Sequence, residues 1–245
     1  EDYPNINLET VNNPIVLNSS ILKELFSQTL FAISTQESRP LLTGLNIRIN
    51  GNVMECVTTD SYRLAKKTIV LDADYGTHDI VVPGKNIQEF DKILTDEEDV
   101  KINLFSNKLL FEYNGYLFQT SLLSGQYPNT SNLIPTDFEY ILTTNLDNFY
   151  SAIDRAALLT QNKDKNLINM KTVGNELVIT SFASEIGKSE ESVAISKNND
   201  NDITISYSAK YMLDALKTLK DDELIILMNG DSKPIILKNA KDDSL

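Results

Sequence analysis

The chain is short of the residues from which most active sites are assembled. It has one histidine and one cysteine in 245 residues. A Ser-His-Asp group or a histidine metal cluster would have to be built on His78 alone, which argues for an ordinary loop histidine between Gly76 and the strand Ile80–Val82. The lone Cys56 excludes an internal disulfide, fits a reducing cytoplasm, and lies in the strand-like run from Val53 to Val57, where a buried structural thiol is expected. No phosphate loop, GxGxxG, nucleophile elbow or HExxH is found, and Val82-Pro83-Gly84-Lys85 is better explained as a turn entering a helix. No apolar run is long enough to span a bilayer. Basic residues are in deficit: 22 Lys and Arg against 35 Asp and Glu leave a net charge of −13. That balance opposes nucleic-acid binding through the whole surface, which needs clustered cations. The acidic runs Asp96–Asp99 and Asp221–Glu223 lack the ligand spacing of a calcium loop and read as solvated turns. The chain is expected to be a non-enzyme, with no catalytic residues, no metal and no cofactor.

What is present is a repeat. Tyr3-Pro4-Asn5 recurs as Tyr127-Pro128-Asn129. An apolar stripe of Ile21, Leu22, Leu25, Phe26, Leu30 and Ile33 predicts a helix over about 20–34, capped by Ser19 or Ser20. Leu146, Phe149, Ile153, Ala156 and Ala157 predict its counterpart, capped by Thr144 and ending near Leu159. Each is followed by an extended segment closing on an Asn/Gly turn, at Asn50-Gly51-Asn52 and at Gly174-Asn175. Helical patterns over 85–94 and 210–219 follow, each running through an acidic turn into strands. The reading is an α+β chain of two tandem domains of roughly 125 residues, with helices packed on one face of antiparallel sheets. The expected boundaries are 1–13 for the tail of a preceding copy, 14–135 for the first domain and 136–245 for the second, whose last strand is incomplete.

One stretch stands out within this frame. Thr58 to Ala65 leaves a strand through a turn that offers Tyr62, Arg63 and Leu64 in succession, near Ser38–Gly44. Tyr and Arg are common interface anchors, and an exposed leucine beside them is costly unless covered. The plainer account turns Leu64 inward and pairs Arg63 with Asp60.

Seven motifs in order carry a resemblance: Ser38–Gly44 (SRPLLTG), Thr59–Ala65 (TDSYRLA), Val81–Lys85 (VVPGK), Gly125–Pro128 (GQYP), Ala152–Ala156 (AIDRA), Ser184–Gly187 (SEIG) and Lys210–Leu216 (KYMLDAL). Together the chain closely resembles the bacterial DNA polymerase sliding clamp, the β subunit of the replicative polymerase, over its second and third domains. The family implies three similar domains per chain and a cytoplasmic, head-to-tail homodimer ring around duplex DNA. Such a ring holds DNA topologically and without sequence specificity. This fragment, lacking a first domain, is expected to be monomeric. The resemblance also implies a pocket between the second and third domains for short linear peptides of the polymerase, the clamp loader and repair proteins. By position its lining would be Leu42, Thr59, Ser61, Tyr62, Arg63, Leu64, Pro128, Asn132 and Leu133. Tyr62 stands where many members carry His, and Asn132 where many carry Arg. DNA-facing candidates are Gln36, Arg39 and Leu41 in one loop and Lys210, Lys217 and Lys220 on the last helix, with Lys23, Lys85, Lys92 and Arg155 also considered. A ring needs only a weakly attractive bore, which accommodates the acidic net charge. A repeat-built peptide-binding module not acting on DNA is the competing reading.

Overall fold

The computed structural model describes residues 7–160, 166–183 and 187–245. The Tyr3-Pro4-Asn5 motif and most of Ser184–Gly187 lie outside the described residues. The chain divides into two compact units, Glu1–Pro128 with Ser244 and Asn129–Asp243 with Leu245.

The first unit is built from two half-units of like design. In the first, β1 (Ile15–Asn18) leads into α1 (Ser19–Thr29) and then β2 (Gly44–Asn50), β3 (Val53–Thr59) and β4 (Leu64–Val70). In the second, β5 (Thr77–Pro83) leads into α2 (Gly84–Asp91) and then β6 (Asp99–Leu104), β7 (Lys108–Tyr113) and β8 (Tyr116–Ser121). Each opening strand joins the sheet of the other half: the orders are β1-β6-β7-β8 and β4-β3-β2-β5. Both sheets are antiparallel, with Ile15 opposite Ile102 and Leu45 opposite Val82. Period-two alternation sends Leu45, Ile47, Ile49, Met54 and Cys56 to the helix side, where they bury with Leu22, Leu25, Phe26, Ile87 and Phe90. Phe90 stacks on Phe111 with ring centroids 4.1 Å apart.

The second unit repeats the scheme with β9 (Tyr140–Asn145), α3 (Leu146–Ala157), β10 (Leu167–Val173), β11 (Glu176–Ala183), β12 (Gly187–Lys197), β13 (Thr204–Ser208), α4 (Ala209–Leu216), β14 (Glu223–Met228) and β15 (Ile236–Asn239). Here the ladder is continuous, in the order β13-β10-β11-β12-β9-β14-β15. Its core gathers Phe149, Ile153, Ile179, Leu224 and Ile226.

Several local expectations are corrected. The caps of α1 and α3 are Asn18 and Asn145, whose side chains accept from Ser20 N (3.0 Å) and Asn148 N (2.9 Å). Ser19 instead donates its hydroxyl to Asp96 O and Thr144 its own to Ala194 O, so both are spent on neighbouring strands and loops. Ile21 is 43% exposed and lies off the buried stripe. His78 is in β5 opposite Ile49, half-buried, with Nε2 2.9 Å from Tyr75 O; strand pairing starts at Thr77, three residues before the apolar run that marks it. In the β2–β3 hairpin Asn50 pairs with Val53, so the turn is Gly51-Asn52 with the left-handed φ of 64° on the glycine.

Candidate functional site

The sheet β4-β3-β2-β5 has a second apolar patch on the face away from the helices. Residues one position out of phase with the main core point there: Val57 on β3, Val81 on β5 and Leu64 at the start of β4. Leu42 joins them from a 3-10 turn over Pro40–Thr43, with Leu41 and Leu123 packed alongside. The patch is covered by the segment after β8. Leu123 N donates to Val81 O (2.8 Å), Tyr127 buries its ring, and Arg48 Nη2 donates to Pro128 O (3.4 Å). Gly125, at φ 128°, lets that segment pass beneath Leu41, whose Cδ1 would lie 3.1 Å from any added Cβ. The Tyr127 hydroxyl accepts from Thr59 N (3.1 Å), and burial pushes its pKa up to about 12 against the smaller opposing effects of that bond and of Arg48.

Above this floor stands the turn Asp60–Arg63. Asp60 Oδ1 accepts from the backbone N–H of Tyr62 (2.9 Å) and of Arg63 (3.0 Å), while Oδ2 takes Arg63 Nε (3.1 Å). Thr59 Oγ1 donates to Arg63 O (2.7 Å) and accepts from Ser61 N (3.1 Å). The Arg63 guanidinium lies 5.5 Å from the Phe31 ring centroid, a cation–π distance. Ser61 holds φ 79°, a left-handed conformation that costs a serine roughly 1–3 kcal/mol unless its surroundings enforce it. The outcome is a rigid turn with Tyr62 raised to 78% exposure, Arg63 and Leu64 half-buried, and Thr59 buried. Both local accounts of this stretch therefore hold at once: Arg63 pairs with Asp60 and Leu64 packs inward, yet the turn still presents an exposed aromatic.

The remaining predicted residues fall as follows. Leu42 and Leu64 pack in the apolar patch, Thr59, Ser61, Tyr62 and Arg63 form the turn before Leu64, and Pro128 lies in the segment that covers the patch; all seven belong to the first unit. Asn132 and Leu133 belong to the second unit, in a turn where Leu133 N donates to Thr130 O; both are exposed. Gln36 is exposed, Arg39 donates from Nη1 to Ser61 Oγ (2.9 Å), and Leu41 is half-buried against the apolar patch. Lys210 lies in the first turn of α4, Lys217 at its C-cap and Lys220 just beyond; all three are exposed. The other cations considered are in ion pairs: Lys23 with Asp91, Lys85 with Glu37, Lys92 with Glu89, and Arg155 with Glu191. Val57 and Val81 appear in the sequence only within a strand-like run and a motif, and Tyr127 only within a repeated turn. None is marked as part of an apolar patch, because a strand valine one position out of phase looks like any surface valine until something is found covering it. Cys56 is fully buried, and its surroundings push the thiol pKa far up, so it is no nucleophile.

The comparisons with known proteins agree with this architecture. A family model described as DNA polymerase III beta subunit, central domain, matches residues 16–129, and one described as its C-terminal domain matches residues 131–245. The chain belongs to that family. It is 40% identical to a "Beta sliding clamp" of Staphylococcus epidermidis and 38% identical to one of Staphylococcus aureus, covering all of this chain and 65% of each relative. The crystal structure of the DNA polymerase sliding clamp from Bacillus subtilis superposes with a TM-score of 0.94 at 35% identity, over 99% of this chain and 65% of that one. The chain thus spans just under two thirds of the length of these relatives. The matches are to clamps, and the reading of a peptide-binding module detached from DNA finds no support in them.

Proposed function

We propose that this chain is the peptide-capturing part of a DNA sliding clamp, a non-catalytic processivity factor of the replicative polymerase. In the full-length protein, two chains close head to tail around duplex DNA in the cytoplasm and tether the polymerase, the clamp loader and repair proteins through short linear peptides. The observation that carries this reading is the rigid turn bearing Tyr62 above an apolar patch separate from the main core. A side chain laid over the half-buried Leu41, Leu64 and Leu123 at the edge of that patch is worth roughly 1.5–3 kcal/mol per fully buried leucine or phenylalanine. Micromolar affinity needs about 8 kcal/mol, so two or three anchors suffice only where ordering costs little, which a turn held at every backbone N–H from Thr59 to Arg63 provides. Leu42, Thr59, Ser61, Tyr62, Arg63, Leu64 and Pro128 form our peptide-contacting set in the first unit, with Asn132 and Leu133 included on the family resemblance.

For DNA, the proposed contacts are Gln36, Arg39, Lys210, Lys217 and Lys220. Exposure and charge support the three lysines as weak phosphate contacts. Leu41, named with them at the outset, has more support as part of the apolar patch.

The test is calorimetry with a synthetic peptide carrying a Gln-Leu pair and a Phe anchor. Leu64→Asp is expected to abolish binding, and Tyr62→Ala, at an exposed position that does not threaten folding, to weaken it about tenfold. Unchanged affinity in both would sink the pocket assignment. For the ring, the full-length protein loaded on nicked circular DNA is expected to slide off once the circle is cut, whereas retention on the linear product would contradict a topological clamp.

A further inference from the structure

The serine at position 61 poses a chemical question. Among the described residues, the non-glycines with positive φ are Ser61, Asn114 and Asn166. Asparagine tolerates that region; serine gains nothing from it intrinsically, and a glycine would adopt φ 79° without strain. What serine supplies and glycine lacks is a hydroxyl, and here the hydroxyl has a partner: Arg39 Nη1 donates to Ser61 Oγ at 2.9 Å. Arg39 comes from the loop before the Pro40–Thr43 turn, far in sequence from the hairpin it touches. The backbone bonds that shape the turn come from the hairpin's own Thr59 and Asp60, and Tyr127 anchors its base at Thr59 N. Arg39 reaches the same turn from the solvent side, next to the residue that bears the exposed tyrosine.

We propose that Arg39 is a positioning residue for peptide capture: its hydrogen bond to Ser61 holds the left-handed turn and thereby presents Tyr62 in a fixed orientation to the incoming peptide. The proposal rests on the peptide-binding reading above. It assigns Arg39 a role through Ser61 rather than through the ligand, and it accounts for a serine at a position where glycine is conformationally free. Preorganisation of this kind lowers the ordering cost of binding without adding a contact.

The role is testable in the 245-residue chain with Arg39→Ala, Ser61→Ala, the double variant and Arg39→Lys. Two quantities are read: amide exchange at Tyr62 and Arg63 in the free protein, and dissociation of a fluorescein-labelled peptide carrying a Gln-Leu pair and a Phe anchor. Each single variant is expected to speed exchange and weaken the peptide about three- to tenfold, the range of one hydrogen bond. The double variant should be no worse than either single one, since both remove the same bond. Arg39→Lys, which can still donate to the hydroxyl, should recover part of the loss. Unchanged exchange at Tyr62 and Arg63 in Arg39→Ala, or losses that multiply in the double variant, would overturn the role. Peptide binding that survives intact in Arg39→Ala overturns the positioning role alone. Failure of the unmodified chain to bind the peptide overturns the peptide reading and this role with it.

Discussion

The two units share a plan but join their strands differently. In the first, β4 has seven residues and ends a four-stranded sheet; in the second, its counterpart β12 has eleven and continues into β9. The added length pairs Ile195, Ser196 and Lys197 with Thr144, Thr143 and Leu142, fusing two sheets into one ladder. Both units bury a stacked layer of leucine, isoleucine and phenylalanine under two helices. Among the described residues, the first alone carries an additional apolar patch, of Leu42, Val57, Val81 and Tyr127, on the opposite face of a sheet. A repeat can thus keep one core design in both copies while their outer sheet faces differ.

The strongest way to break this comparison is to empty each core in turn. Phe90 and Phe149 are both fully buried, one in each unit. Phe90→Ala and Phe149→Ala are each expected to cost about 3–5 kcal/mol. If the units are separate cores, each variant shifts its own share of the unfolding transition, followed by residue-resolved amide exchange in denaturant. A single transition shifted equally by both would show that the cores unfold as one.

A smaller effect sharpens the difference in sheet continuity. β1 is bonded on one side, to β6, whereas β9 is bonded on both sides, to β14 and β12. Amides of β9 are expected to exchange on the order of tenfold or more slowly than those of β1. Equal protection would mean that the β12–β9 ladder adds nothing.

The smallest effect concerns the patch itself. Burial raises the Tyr127 pKa from 10.0 to about 12, so its protonated form is favoured by folding. The associated stability is fully present below pH 10 and is lost as pH rises toward about 12. Tyr127→Phe should therefore show a shallower fall in stability over that window than the unmodified chain. Parallel denaturation curves at pH 9 to 11.5 would contradict it.

Much of this was legible in the residues, and the reason differs by element. The helices announce themselves through apolar stripes, and Asn114-Gly115 forms the two-residue turn its composition requires, with φ of 44° and 76°. The caps differ from expectation because Asn18 sits just before, and Asn145 just after, equally competent Ser and Thr, and only contacts with neighbouring strands and loops decide which oxygen is free to cap. Hairpin partners were legible from their turns, as for β2 with β3 and β10 with β11, but partners distant in sequence were not. Periodicity defines faces, but nothing in β1 says that it belongs with β6 rather than with its own β2. The site was half legible. Tyr62, Arg63 and Leu64 are contiguous and conspicuous, whereas the patch beneath them is assembled from residues 42, 57, 81 and 127. A peptide as the proposed ligand comes from family resemblance, since composition alone does not suggest one.

The exchange of opening strands has a kinetic consequence. Because residue 15 must find residue 102 and residue 45 must find residue 82 before either sheet of the first unit is complete, neither half has a finished sheet of its own. Long loops must close before their contacts contribute, so folding of this unit is expected to be governed by chain topology rather than by helix formation. The same interlock makes it an indivisible building block: a cut between Val70 and Thr77 would strand β5 and β1 each in a sheet whose remaining members lie on the other fragment. New members of such a family can be made by duplicating or trimming whole units, and not by recombining their halves.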